Sequence, residues 1–375
     1  MPATSCRFWT HTHQSEFFWT PHSGYHWDRS ARRFFEGWYC RLTLPQVGES
    51  FAFMYSIDDP AGQSALSGGA AQILGPGETY LYAPFPHVQR FWAWSHRLGL
   101  GHWNDAIGET ARYLPPDTFW AQVRRGYQVT ATQHQGCVED LETGAIARWN
   151  YAIEPVYGWG PPDSPQLPTA GWLSYLPIFE PGWQVLMAHG VATGWAEWQG
   201  QRYEFTQAPA YAEKNWGGAF PERWFWIQCN AFVDEPDLTV TVAGGLRQVL
   251  GRSETVGLMG LHVRGQFIVL SSLHSQMAWK VEPWGAWHVT LQDHRYRVVL
   301  HGQANDEPAT VRVPTLNGLE FACWDTTRGD LQVEVWQRSR CTPEQLLLKA
   351  QSHLAGLEVG GSSWDRPWHF LPKSG

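Results

Sequence analysis

From residue 37 to about residue 339 the chain keeps one rhythm. Short runs of alternating side chains recur, each cut off by Gly, Pro, Asp or Asn. A period of two puts successive side chains on opposite faces of a strand. Runs spaced by roughly ten residues, with turn residues between them, build sandwiches or barrels rather than βαβ units. GWYCRLTL and SFAFMYSI read as a hairpin across PQVGE. TFWAQVRRGYQVTATQH, QVLMAHGVATGWAEWQG, RWFWIQCNAFV, LTVTVAGGLRQVL and VGLMGLHVRGQFIVLSSL continue the pattern. The spacing predicts an all-β chain of antiparallel sheets.

One segment departs from the rhythm. TPEQLLLKAQSHLAGL, residues 342–357, predicts a C-terminal helix: Thr342 can cap it, Pro343 and Glu344 suit its first turn, and Leu346, Leu347, Ala350 and Leu354 share a face. Pro- and Gly-bearing loops are expected at 57–69, 104–117 and 155–171, the last of the kind that lids a site. FEGWYCRLTLPQVGESFAFMYSIDDP and KNWGGAFPERWFWIQCNAFVDEPDLTVTVAG run through similar turns and strands. With 375 residues, this predicts two β-barrel or sandwich domains, 1–205 and 206–375, with the active site near their junction.

Composition narrows the ligand. The 24 Trp, 13 Tyr and 18 Phe exceed what packing alone asks for, although most single Trp will fill cores. Such a lining suits a large apolar molecule, or a cation formed during catalysis. A net charge of −8 offers no basic face to a phosphate backbone, so nucleic acid is not an expected partner. Six scattered cysteines without a CxxC pair argue against a disulfide scaffold or zinc knuckle, and imply a reducing compartment. His11, His13, His22 and His26 have ligand-like spacings, but HExxH is missing and no metal is expected. GxSxG, GxxxxGK[ST] and a strand-to-helix GxGxxG are also missing, so no cofactor is expected. No signal-peptide or transit pattern opens the chain, and no run of 18 apolar residues could span a bilayer.

Two stretches concentrate chemistry. In QAPAYAEKNWGGAFPERWFWIQCNAF, Tyr211 and Glu213 are two apart and share a strand face. A carboxyl between aromatics loses hydration, which keeps it protonated near neutrality. The alternative is a structural salt bridge from Glu213 to Lys214, Arg223 or another basic side chain. In PHSGYHWDRSARRFFEGWYCR, Tyr25, His26, Glu36 and Tyr39 crowd together; Glu36 and Trp38 share one face, Tyr39 and Arg41 the other. A buried Glu36–Arg pair is the non-catalytic reading there. His189, in mid-strand, is a candidate to orient Glu213 or Tyr211.

SGYHWDRSARRFFEGWYCRLTLPQVGESFAFMYSIDDP, followed by AYAEKNWGGAFPERWFWIQCNAF, resembles the tocopherol cyclase family, with the resemblance running from Pro21 to about Trp336. It is similar, more distantly, to carotenoid 1,2-hydratases, which implies two lipocalin-like barrels. In those relatives a Tyr-x-Asp-x-Asn-x-Gly motif acts with an upstream His and Trp. Tyr211, Glu213, Asn215 and Gly217 fall on that motif with Glu in place of Asp, and His189 and Trp195 are the nearest counterparts upstream.

The resemblance implies an intramolecular lyase that closes the chromanol ring of a tocopherol from a prenylated benzoquinol. Glu213 would protonate the prenyl double bond, Tyr211 and His189 would tune it, and the phenol oxygen would trap the cation. Trp38, Trp216, Trp224, Trp226, Asn215, Tyr25, His26, Glu36 and Tyr39 are the expected substrate-binding residues. His22, Tyr25 or His26 would take the phenol proton. An isoprenoid hydratase and a non-catalytic prenyl-lipid carrier remain the alternatives. Without a transit extension the chain looks cyanobacterial, cytoplasmic or peripheral at the thylakoid, with Phe17, Phe18 and Trp19 as candidate membrane contacts.

Overall fold

The computed structural model describes residues 20–30, 32–104, 110–176, 180–249, 252–362 and 364–371. The first sheet contains β1 (Phe35–Leu44), β2 (Glu49–Asp58), β3 (Gly68–Gly75), β4 (Thr79–Phe85), β5 (Phe91–Ala93), β6 (Gly99–Trp103), β7 (Gly126–Thr130), β8 (Gln133–Glu139), β9 (Ile146–Tyr157), β10 (Gly182–Trp198) and β11 (Gln201–Gly217). Its spatial order is β4-β3-β2-β1-β11-β10-β9-β8-β7-β6-β5. Helix α1 (Pro116–Gln122) sits in the connection from β6 to β7.

The second sheet contains β12 (Arg223–Cys229), β13 (Thr239–Val249), β14 (Arg252–Val263), β15 (Gln266–Ser271), β16 (Gln276–Val281), β17 (Ala286–Gln292), β18 (Tyr296–Gln303), β19 (Ala309–Thr315), β20 (Gly318–Gln337), β21 (Gln345–Gly361) and β22 (Trp368–Phe370). It runs β15-β14-β13-β12-β21-β20-β18-β17-β16-β22, with β19 paired to β20. The chain passes between sheets in the five residues after Gly217, whereas Phe205 lies inside β11.

Both sheets curl. β2 and β9 stand four strands apart in the first, roughly 19 Å if it were flat. Yet Phe53 and Trp149 meet with ring centroids 5.0 Å apart. In the second, Phe225 of β12 and Trp279 of β16 meet at 5.3 Å across five strand steps. Each curl closes on its own apolar core.

The predicted C-terminal helix is corrected to a strand. Leu348, Ala350 and Ser352 are buried while Lys349, Gln351 and His353 are exposed, which is period two. β21 pairs along β20 on one side and β12 on the other, and that double ladder outweighs the local cap signals of Thr342 and Pro343.

The alternation on β1 and β11 decides what faces where. In one set of register partners, Trp38 stands opposite Lys214, Cys40 opposite Ala212 and Leu42 opposite Ala210, all toward the first core. In the other, Gly37 stands opposite Asn215, Tyr39 opposite Glu213 and Arg41 opposite Tyr211. This second set faces the other sheet. There Arg41, 2 % exposed, donates from Nη1 to Gln228 O and Oε1, and from Nη2 to Ser50 Oγ, Thr327 O and Leu354 O, at 2.7–3.3 Å.

Arg41 thus ties β1 to three strands or turns of the second sheet. Arg41→Met leaves those carbonyls unpaired and is expected to destabilise the fold by about 3–5 kcal/mol. Denaturant titration followed by tryptophan fluorescence measures it.

Candidate active site

Between the outer faces of the two sheets lies a cavity of about 550 Å³. That falls within the range of small-molecule sites. β11 and β10 supply Glu213, Asn215 and Trp183, and β12 supplies Trp224 and Trp226. The space exists because the facing strands carry little there: Ala243, Gly244, Gly245 and Gly257 form part of the wall. Leu167–Ser174, at the end of the expected lid loop, closes one side, and Trp159 and Phe267 close another.

Glu213 is 7 % exposed. Its Oε2 accepts three hydrogen bonds, from Tyr211 Oη at 2.5 Å, Trp183 Nε1 at 3.0 Å and Trp226 Nε1 at 3.1 Å. Burial pushes the Glu213 carboxyl above the usual range, against the pull of those donors. The Tyr211 phenol is pushed up by burial and by the Glu213 charge, so it stays a donor. No salt bridge reaches Glu213 among the described residues; Lys214 points the other way.

Around Trp224 and Trp226 the backbone comes close. Trp224 lies over Gly360, where a Cβ would sit 2.0 Å from its ring, and Trp226 lies over Gly356, where the gap would be 2.8 Å. Trp224 Nε1 donates to Glu358 Oε1, and Glu358 lines the cavity with Glu213. Cross-strand register sets Glu358 opposite Asp325 on β20 and opposite Trp226 on β12.

The remaining expected residues divide. Tyr39 packs on the Tyr211–Trp226 cluster, 5.2 Å from the Trp226 ring, with its hydroxyl buried. Glu36, His26, Trp38 and Trp216 lie on the opposite face of the same two strands. There Lys214 makes a buried ion pair with Glu36, donates to Gly24 O at 2.7 Å and approaches His26 Nδ1 at 3.1 Å. Trp216 stacks on His26 at 4.0 Å, and Lys214 lies 5.6 Å from the Trp38 ring centroid. Burial pushes the Glu36 carboxyl up, but Lys214 and His26 outweigh it and leave it below its usual range. The non-catalytic reading of Glu36 as an ion pair is right in kind, with Lys214 in place of an arginine. Tyr25 belongs to the first core.

His22 hydrogen-bonds Ser174 Oγ at 2.9 Å and His26 at 3.2 Å, and does not itself line the cavity. His189 does not orient Glu213 or Tyr211: its Nδ1 faces Asn230 Nδ2 at 3.3 Å. Register shifts between Val185 and Met187 and between Met187 and Gly190 break the alternation that would have predicted its facing. Trp195 packs with Trp120 and Arg202, outside the cavity. Phe17, Phe18 and Trp19 lie outside the described residues. Glu358, Trp183 and Trp159 were missed by sequence reasoning. Among the described residues no three His, Cys, Asp or Glu side chains could hold a metal ion, and no helix is long and apolar enough to cross a membrane.

A buried acid with a raised pKa makes the folded state favour the proton. Stability from Glu213 is therefore full below the usual glutamate range and is lost as pH rises through its folded value. Glu213→Gln should fold with an equal or higher Tm and flatten the fall of Tm with rising pH, measured by calorimetry across pH 4–9.

The tocopherol cyclase-like family model matches residues 32–361. The chain is 39 % identical to the chloroplastic tocopherol cyclase of Zea mays, covering 98 % of this chain and 83 % of that one. It is also 39 % identical to a probable chloroplastic tocopherol cyclase of Oryza sativa subsp. japonica, over 93 % and 80 %. Among solved structures it is similar to CghA with Sch210972, with a TM-score of 0.49, 9 % identity and coverage of 88 % and 89 %. It is likewise similar to kievitone hydratase from Nectria haematococca, with a TM-score of 0.46, 10 % identity and coverage of 93 % of each chain. By the extent of the family match and the identity to both cereal proteins, the chain belongs to the tocopherol cyclase-like family.

Proposed function

We propose that the chain closes a chromanol ring by having Glu213 protonate the prenyl double bond of a prenylated benzoquinol. The single observation behind this reading is a nearly dry carboxyl whose Oε2 already meets three fixed donors in an aromatic cavity. Burial favours the protonated carboxyl before reaction, and Tyr211, Trp183 and Trp226 stabilise the carboxylate that forms as the proton leaves. Trp159, Trp183, Trp226 and Phe267 surround the place where a tertiary cation would form, and their ring faces suit it. The apolar wall keeps water from competing with the phenol oxygen. Asn215, beside the acid on the same face, is assigned to hold a quinol oxygen. No step in this isomerisation needs a cofactor.

The purified protein, incubated with a prenylated benzoquinol and nothing else, is expected to yield a product of equal mass that has lost one hydroxyl and gained a ring ether. Glu213→Gln should lower kcat at least about a hundredfold, the scale of a lost general acid, with the fold intact. Chromatography with mass detection reads both outcomes, and full activity in that variant refutes the assignment.

The substrate's tail favours lipid, so we assign the cavity rim to a membrane surface. Trp172 is 71 % exposed and Leu273 58 % exposed at that rim, with Leu167 and Val269 also outward. Such a contiguous apolar edge suits a lipid interface. The named relatives are chloroplastic proteins, which agrees with a plastid setting for this reading. The double variant Trp172→Ser, Leu273→Ser should lose most vesicle co-flotation while keeping turnover on a detergent-dispersed quinol.

A further inference from the structure

Ring closure moves two protons. One goes to the alkene, and another must leave the phenol oxygen as it bonds to carbon. Of the groups first expected to receive it, Tyr25 packs against the first core, His26 lies with Lys214 and Glu36 on the opposite face of β1 and β11, and His22 bonds His26 and Ser174 without lining the cavity itself. A second carboxyl does face the cavity. Glu358 sits on β21, opposite Trp226 in register, so the two carboxyls flank one indole that donates to Glu213.

We propose that Glu358 is the base that takes the phenol proton, working across the cavity from Glu213. The assignment rests on the reading of Glu213 as the acid. Glu213 gives its proton to the less substituted alkene carbon; the π pair forms the C–H bond and leaves a tertiary cation. A lone pair of the phenol oxygen forms the C–O bond, the O–H pair returns to that oxygen, and the proton passes to Glu358. Substrate and product have the same atoms. Once product leaves, one proton returns from Glu358 to Glu213 through water in the open cavity.

The surroundings of Glu358 suit this task. Trp224 Nε1 fixes one carboxyl oxygen. The titratable groups packed about it are Asp325 and Cys323 on β20, Tyr39 on β1 and Glu213 on β11. Asp325 is 1 % exposed and neither of its oxygens has a hydrogen-bond partner. Burial and the Glu358 charge hold it well above the usual carboxylate range, which favours its neutral form. The Tyr39 and Cys323 groups are likewise pushed up by burial and remain protonated.

Glu358 is thus the group beside Glu213 that changes charge near neutrality, raised to about 7 by burial and then by the Glu213 charge. That second cause couples the steps. While Glu213 holds its proton, Glu358 is free of its repulsion and ionises. When Glu213 loses the proton to the alkene, its new charge raises the proton affinity of Glu358 as the phenol proton must leave.

The test separates the two carboxyls. A prenyl arene lacking the ring-closing hydroxyl, incubated in D₂O, can undergo only reversible alkene protonation, read as deuterium gained by mass spectrometry. Glu358→Gln should lower kcat for ring closure at least about a hundredfold with KM nearly unchanged, yet slow deuterium uptake by the analogue less than about tenfold. Glu213→Gln should abolish both. Glu358→Asp should recover part of ring closure. Ring closure at the wild-type rate in Glu358→Gln overturns the proposal, and so does equal loss of exchange and closure. Ring closure surviving in Glu213→Gln overturns the acid assignment instead. If Glu358→Gln does not fold, the wild-type pH profiles decide. Ring closure should fall below about pH 7, and deuterium uptake by the analogue should not; matching profiles overturn the proposal.

Discussion

Everything in this structure depends on two curled sheets pressing their outer faces together. Each sheet has already closed on an apolar core, so its outer face would ordinarily meet water. Here the outer faces of β1, β11, β12 and β21 meet instead, and polar groups are trapped between them. The Arg41 guanidinium supplies five hydrogen bonds to that seam, two of them to Gln228, and Asn230 Nδ2 adds one to Ala210 O. Carboxyls caught in the same seam without an ion pair among the described residues, Glu213, Glu358 and Asp325, all have their proton affinity raised by burial. Proton chemistry and domain packing are therefore the same problem in this molecule.

β11 shows how a single strand serves both ends. Lys214 and Glu36 neutralise one another inside the first curl, where His26 and Trp216 cover them. One residue earlier, Glu213 projects outward with no cation to meet it. The period of two keeps the structural ion pair and the chemical acid a few ångströms apart in sequence space and on opposite sides of a wall.

Much of this was legible beforehand. The alternation of β1, β2 and β12 announced strands, and the two-residue spacing of Tyr211 and Glu213 put them on one face. The separation of Glu36 and Trp38 from Tyr39 and Arg41 was equally readable. Pairing across the chain was not. Residues 342–357 carry local helix signals, and only the ladders to β12 and β20 make 345–361 a strand. Glu358 gains its meaning from that same pairing, so losing the strand meant losing the residue. His189 was misjudged because bulges in β10 reset the face count, which no periodicity records. Trp38 and Trp216 were grouped with the site by nearness along the chain, although their parity sends them inward.

The alternation on β11 has a further consequence for how this chain can change over time. A one-residue insertion or deletion before Tyr211 would turn the strand over, sending Glu213 into the apolar core and Lys214 into the cavity. Point substitutions can drift through the loops and outer strands at little cost, but the length of the chain leading into β11 is held by the acid and the ion pair at once. Descendants of this fold are therefore expected to vary in what lines the cavity long before they vary in the count of residues between Gln201 and Gly217.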